Sequence, residues 1–456
     1  MLSGTYYINS QITVYGFWGS FVGAGQGQTN IVALGPMPSP NPSYNIKCVG
    51  YPSCTSTTGT AGGVPFWVGL PSSSNPWPAL FTFEGGSIAI SAMTLTDTSS
   101  PPTMGYYMPA IDGGGFYQGL ISAIVITGPG PETSMVSATI DHVSMVGGAG
   151  DWGGYNMGDG VYIAGKVLPS GWSDPEGDPY PITGTYSVTN SKFLNVETPA
   201  QGNFLDNSNY VICGNTFSNS VPPVGFAYNI ELFDNSNTNV LICNNQGAMP
   251  YANDIVAFQG AFKSGLSPFR LTITGNNFQV NDGGSAVAMY DFEPLSGAAP
   301  TFSAVVSGNT FQNSYPEGYT LWDSVIYSLG LKSTIVSLNN IAGGGSDGIY
   351  LNSGPGTIIG NSITGAYDSI DIDAASSVHV AGNVIRNSVD DGINVMSFNY
   401  AGWAPGTPSS NDFIIGNFVH NSGTYDLYWD GLGSNNHWCG NVYTTSFSAP
   451  PSVFSC

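Results

Sequence analysis

Five aspartates crowd one short stretch of this sequence: Asp368, Asp371, Asp373, Asp390 and Asp391. Carboxylates held a few ångströms apart repel one another, so some keep their protons unless a cation, a donor or solvent relieves them. Two chemistries follow. A protonated carboxyl beside an ionised one can cleave a glycosidic bond, at a separation of about 5 Å for retention or about 6.5–9.5 Å for inversion. A ladder of carboxylates can instead gather calcium, a hard cation that takes oxygen ligands. Asp371 with Asp391, or with Asp368, is the candidate catalytic pair, and Asp368, Asp373 and Asp390 are the candidate calcium ligands.

Cations are few enough to weigh singly. Arg386 and His420 each lie three places after an Asn of a repeated phrase, and each leads into an acidic turn, Asp390–Asp391 and Asp426 respectively. Arginine suits the anchoring of a sugar carboxylate, and His or Asp the transfer of a proton. Arg386 and His420 therefore join the catalytic candidates, although a charge-balanced surface corner would give the same pattern.

What must position these side chains is a repeat. The phrases TIIGNSI, HVAGNVI, FIIGNFV and HWCGNVY surround Asn361, Asn383, Asn417 and Asn441, each with an apolar residue three places before the Asn and another two places after it. Between them stand DGIYL (Asp347–Leu351), DSIDI (Asp368–Ile372), DGINV (Asp391–Val395) and the looser YDLYW (Tyr425–Trp429), whose apolar residues alternate at strand period. The Asn phrase recurs at Asn339, Asn309, Asn276, Asn245 and Asn215, with Ser191 as a variant, at spacings of 22 to 34 residues. A core unit of about 22 residues with insertions at fixed places marks a solenoid whose coils close one another's core. Units rich in Gly, Asn and β-branched residues disfavour helical coils. Asn suits a sharp left-handed corner and can bond coil to coil when stacked.

Stacked coils turn sequence phase into columns about 4.8 Å per step. Within each strand after the Asp turn the flanking residues face the core and the middle one faces out. The outward column then reads Tyr162, Glu231, Val256, Ala288, Ile326, Tyr350, Asp371, Asn394, Tyr428. Its polar-aromatic end supplies Tyr350, Asn394 and Tyr428 as substrate-binding candidates. A second column holds Asp159, Asp323, Asp347, Asp368 and Asp391, with Asp254 and Asp426 one place out of phase. Closing turns by accepting backbone N–H groups is the structural alternative for these aspartates.

The repeats GNxI and DGIxL, and the opening GTYYINSQITVYGFWGSFVGAGQGQTNIV, resemble the right-handed parallel β-helix proteins of the pectin-lyase-like superfamily over nearly the whole chain. The resemblance implies an all-β, single-stranded right-handed parallel β-helix with long surface loops, the handedness also following from the crossover preference of parallel strands. It implies no single activity, because the scaffold carries lyases, hydrolases, epimerases and adhesins. Its calcium-dependent lyases set aspartates on calcium beside an Arg or Lys base, a role that would fall to Arg386. The polygalacturonase signatures NTD, DD with GHG, and RIK are not reproduced as a set; Asp390–Asp391 matches only DD.

The solenoid is read as one domain over 1–456, with loop-rich coils over 1–184, regular coils over 185–445 and a tail over 446–456. Long loops are expected at 35–79 and 98–118. Loops around 158–165 carry Trp152 and Trp172 as a sugar platform, and Asp174, Glu176 and Asp178 as a second, irregular calcium candidate.

Composition narrows the partners. Seven Lys+Arg against twenty-nine Asp+Glu give a net charge of −22, which leaves no cationic track for nucleic acid or an anionic membrane. The apolar run GLISAIVITG (119–128) is too short to span a bilayer. No organic cofactor is expected, and monomer against homo-oligomer stays open. Cys213 and Cys243 occupy one phase in adjacent coils, within disulfide reach, or remain buried thiols; Cys48 with Cys54 and Cys439 with Cys456 are further pairs. Three such pairs suit an oxidising compartment. No signal peptide is legible in MLSGTYYINS, and the start is expected to be truncated, with the protein secreted or at the cell surface.

The expected function is binding or cleavage of a polysaccharide along the solenoid, as a calcium-assisted lyase acting on a uronate-containing glycan. The alternatives are a non-catalytic surface or adhesion module and an inverting glycoside hydrolase with paired aspartates.

Overall fold

The structure, a computed structural model, describes residues 1–8, 12–33, 58–61, 64–68, 79–97, 105–108, 115–118, 120–127, 135–148, 157–164, 182–219, 228–249, 254–260, 265–280, 284–313, 324–343, 347–397 and 408–448. Its residues group into two compact units, Met1–Thr238 and Asn239–Cys456. Each is built of parallel β-strands wound in coils, and the fold class is the right-handed parallel β-helix expected from the repeats. No helix among the described residues is long and apolar enough to cross a membrane.

In the first unit, Ala79–Asp97 pairs in parallel with Ile12–Val22 and Met135–Gly147, and Met135–Gly147 pairs with Thr183–Thr189 and Lys192–Leu194. The register lays Leu95, Met145, Phe193 and Phe217 over one another on the core side. Phe193 and Phe217 stack at 5.5 Å between centroids. Burying one such side chain contributes roughly 1.5–3 kcal/mol, and stacking supplies the partner that a single coil lacks. The segments read as loops at 35–79 and 98–118 contain strands. Thr58–Ala61, Val64–Val68, Gly105–Met108 and Gly115–Gln118 form a small four-stranded sheet of their own.

In the second unit each regular coil has three short strands. Gly356–Ile359, Ser362–Thr364 and Ile370–Asp373 make one, followed by His379–Ala381, Val384–Arg386 and Ile393–Met396, then Phe413–Ile415, Phe418–His420 and Leu427–Trp429. The core columns Ile358–Val380–Ile414–Trp438 and Ile363–Ile385–Val419 are those read from the repeats. Asn361 and Asn383 sit in adjacent layers, with Asn361 Nδ2 3.0 Å from Asn383 Oδ1.

That contact belongs to a continuous ladder. From Asn245 through Asn276, Asn309, Asn339, Asn361, Asn383 and Asn417 to Asn441, the backbone N–H and side-chain amide of one Asn both donate to the side-chain oxygen of the next. The left-handed residue is the one before the ladder Asn: Gly at 275, 308, 360, 382, 416 and 440, Asn244 and Leu338 otherwise. The Asn is thus the hydrogen-bonding element of the corner and its neighbour the conformational one. Replacing Asn383 by Ala would strip the acceptor from Asn361 N–H and the donor from Ile358 O. Orphaned buried groups cost about 1–3 kcal/mol each, so urea titration should show a loss of about 2–4 kcal/mol with m unchanged.

One column needs correction. Ile326 pairs with Ile349 and faces the core, so Tyr327 takes the outward place, giving Val256, Ala288, Tyr327, Tyr350, Asp371, Asn394, Tyr428 and Phe447. Likewise Ser324 holds the phase assigned to Asp323, which lies outside the described residues. In the first unit Gln201 enters between Tyr162 and Glu231. Pairing also continues past 445, because Ser446–Ser448 adds a strand beside Leu427–Trp429.

Candidate functional site

The third strand of each coil in the second unit carries two outward columns. Beside the one just given runs Phe258, Tyr290, Leu329, Asn352, Asp373 and Met396. Asp371 and Asp373 therefore share the outer face of Ile370–Asp373, yet they are only 2% and 0% exposed. On one side they meet an aromatic stack in which Tyr290, Tyr327 and Tyr350 follow at 5.1 Å intervals. The Tyr350 hydroxyl donates to Asp373 Oδ2 at 2.9 Å and accepts from the Asn352 amide at 2.9 Å. Tyr350 is thus a buried support of Asp373.

The turn before the same strands places the aspartate column. Asp347 Oδ1 accepts the backbone N–H of Asp368 at 3.2 Å, Asp368 Oδ1 that of Asp391 at 2.7 Å, and Asp391 Oδ1 that of Tyr425 at 2.9 Å. Each carboxylate closes the turn of the next coil, and the Asn394 amide reaches the second oxygen of Asp368 at 3.3 Å. Among the described residues three atoms of this cluster have no partner: one oxygen each of Asp371 and Asp373, and the Asn394 side-chain oxygen. They mark where the arrangement still has acceptor capacity.

Electrostatics follows from burial without cations. Among the described residues the one ion pair is His142–Asp141, in the first unit. Burial, then repulsion from Asp373, Asp347, Asp368 and Asp391, pushes the Asp371 carboxyl well above the usual range. Burial and the nearby Asp368 do the same to Asp347. Asp368 is raised to about 6 by burial and Asp390. Asp373 is raised to about 7 by burial, against the Tyr350 hydroxyl, with Asp368 and Asp430 adding repulsion. Burial, with Asp368 and Asp390, raises Asp391 to about 7. Carboxylates spread from about 6 upward give one fold an acid and a base near neutrality.

The cluster reaches the surface at its C-terminal side. Tyr428 stacks on Phe447 at 5.3 Å and 12°, and Tyr425 packs against both at 6.0 and 5.5 Å. Tyr425 and Tyr428 are half-buried and Phe447 is 42% exposed. Asn394 and Tyr428 are register partners, so this platform adjoins the carboxylates. Asp390 is half-buried and hydrogen-bonded to Tyr367.

Of the residues singled out in the sequence, Asp368, Asp371, Asp373, Asp390, Asp391, Tyr350, Asn394 and Tyr428 gather on this face. Arg386 and His420 do not. They are register partners on Val384–Arg386 and Phe418–His420, a different strand of the coil, with the Arg386 guanidinium 5.5 Å over the Phe418 ring. Asp426, expected to lie ahead of His420 in an acidic turn, is saturated by the N–H groups of Ser422, Thr444 and Thr445. Trp152, Trp172, Asp174, Glu176 and Asp178 lie outside the described residues, as do Cys48, Cys54 and Cys456. Cys213, Cys243 and Cys439 are all disulfide-bonded.

Among the described residues no group of three or more His, Cys, Asp or Glu is arranged to hold a metal ion. Asp368 accepts one N–H on each oxygen, from the Asp391 backbone and the Asn394 amide, and each oxygen keeps a further lone pair. Reasoning from sequence missed Tyr327, Tyr425 and Phe447. Tyr425 was visible as the residue in phase with Asp391, and Phe447 sits in a three-residue strand too short to show alternation.

No protein-family model matches the chain, and no curated protein does. Solved structures match it at low identity. The periplasmic alginate epimerase AlgG is 13% identical, over 79% of this chain and 70% of that one, with a TM-score of 0.41. The A-module of the mannuronan C-5 epimerase AlgE6 of Azotobacter vinelandii is 12% identical over 98% and 91%, at 0.39. The catalytic domain of a GH87 α-1,3-glucanase in complex with nigerose is 14% identical over 100% and 62%, at 0.27. The assignment of this chain to the parallel β-helix fold rests on its own strand register.

Proposed function

We propose that the outer face of the second unit binds a polysaccharide across Tyr425, Tyr428 and Phe447 and hydrolyses it with Asp391 and Asp368. The observation that carries this reading is the meeting of a partly exposed aromatic platform with a carboxylate cluster that has no cation paired to it among the described residues. Aromatic faces suit the apolar C–H faces of sugar rings.

Asp391 is the general acid, since burial and its neighbours keep its proton to about pH 7. Asp368 ionises first and acts as base. In the step the Asp391 carboxyl gives its proton to the glycosidic oxygen as that C–O bond breaks. Water adds to the anomeric carbon, and its proton passes to Asp368. Burial and the surrounding carboxylates push Asp371, at the floor of the cluster, in the same direction. Hydrolysis is preferred to elimination because a lyase must neutralise a uronate, and the described cations stand on other strands. The disulfide-bonded cysteines support an oxidising, extracytoplasmic location.

The test is a panel of neutral and uronate polysaccharides, including the alginate, mannuronan and α-1,3-glucan named for the structures above. Each is assayed for reducing ends and for unsaturated-product absorbance, with calcium and with chelator. Reducing ends without absorbance, unaffected by chelator, are expected. Absorbance alone would replace hydrolysis by elimination, and no product across the panel would leave a binding module.

A further inference from the structure

Charge in the second unit is sorted by face. The strands flanking the Asn ladder from Asn276 onward are Phe269–Thr274, Asn277–Val280, Phe302–Ser307, Thr310–Asn313, Ser333–Ser337, Asn340–Ala342, Gly356–Ile359, Ser362–Thr364, His379–Ala381, Val384–Arg386, Phe413–Ile415, Phe418–His420 and His437–Cys439. None contains Asp or Glu. They carry Arg270, Arg386, His379, His420 and His437, with Lys332 immediately before Ser333, and these six side chains are exposed. Among the described residues the one carboxylate adjoining these strands, Asp412 before Phe413, is buried. In a chain of net charge −22, this segregation is opposite to the average.

The cations are interleaved with exposed rings. Phe413 lies between His379 and His437 in register and stacks on His437 at 4.9 Å and 17°. Across the corner, Arg386 and His420 flank Phe418, which is 38% exposed. Phe413, at 44%, and the neighbouring Ile359, Ile415 and Val442 are open as well.

We propose that this corner of the last coils is a second glycan site, separate from the carboxylate face, that holds a uronate-bearing polysaccharide. Sugar rings lie on Phe413 and Phe418, and their carboxylates meet Arg386 and His420. Arginine supplies a forked donor for a carboxylate, and a histidine ring N–H adds a further donor. Charge complementarity selects this occupant. A neutral glycan would leave the cations unused. A nucleic-acid backbone needs a denser cationic track than six side chains spread over several coils.

The experiment is titration of the full-length protein with oligogalacturonate at pH 5.5 and low salt, beside dextran oligomers and a DNA duplex. Binding of the uronate is expected, weakened about tenfold in an Arg386→Ala, His420→Ala double variant, the scale of one charge-assisted hydrogen bond. It is expected to persist in Asp391→Asn, which separates this site from hydrolysis at the other face. Because the substituted side chains are exposed, thermal melts of the variants should overlay wild type. A Phe413→Ala variant with the cations intact should also lose affinity, which a purely ionic contact would not. Absence of uronate binding, equal binding by the double variant, or equal binding of dextran or DNA would overturn the proposal.

Discussion

An Asp391→Asn protein should release reducing ends from its polysaccharide about 10²–10⁴-fold more slowly than wild type, the usual contribution of a positioned acid. The amide keeps the acceptor for Tyr425 N–H and loses only the transferable proton, so KM should move little while kcat falls. Asp368→Asn should cost a comparable factor by removing the base. The double variant should be scarcely worse than either, because residues that act as a unit are not additive. Wild-type kcat should rise and fall with pH around limbs near 6 and 7. Arg386→Ala should leave this rate unchanged, because Arg386 stands on another strand of the coil.

The second large effect is on stability. Asp373 and Asp391 in the cluster, and Asp412 at a neighbouring turn, are each raised to about 7 by burial first of all. Between pH 4 and pH 7 the folded protein holds protons that the unfolded chain releases, so stability is full in acid and declines as pH rises through 7. A rise from 3.8 to about 7 at one buried group corresponds to about 4 kcal/mol. Asp141 and Asp426, whose carboxyls are held below the usual range, lose their contribution only in stronger acid. Tm should therefore fall by about 5 °C or more from pH 5 to pH 8. Asp373→Asn keeps an acceptor for the Tyr350 hydroxyl and cannot ionise, so it should melt higher than wild type at pH 8 and narrow the difference. A Tm that climbs from pH 5 to pH 8 would contradict the burial of these groups.

Much of the fold was legible because the repeat states it many times. The ladder from Asn245 to Asn441, the core columns and the gathering of the Asp turns follow from phase alone. Errors arose where phase was interrupted. The insertion before Ile326 hid one residue of register, so Tyr327 was displaced from its column. The left-handed corner was given to the Asn, whereas it belongs to the residue before it.

The site was legible in membership but not in environment. Period-two alternation tells which way Asp371 points, but whether an outward side chain is covered depends on neighbouring coils. Its 2% exposure and the aromatic stack beside it therefore could not be read. Arg386 and His420 were drawn to the acidic turns by closeness in sequence. A coil of three strands places residues four to six positions apart on different faces, and this separates them from the carboxylates.

Everything proposed for the carboxylate face requires that Asp391 hold its proton close to neutrality beside an Asp368 that releases its own sooner. Carbon-13 NMR titration of the aspartate carboxyls, assigned with Asp368→Asn and Asp391→Asn, measures this directly. Midpoints near 6 for Asp368 and 7 for Asp391 are predicted. Ordinary midpoints near 3.9 for both would mean two solvated, ionised carboxylates, and neither the acid nor the base assigned here would stand.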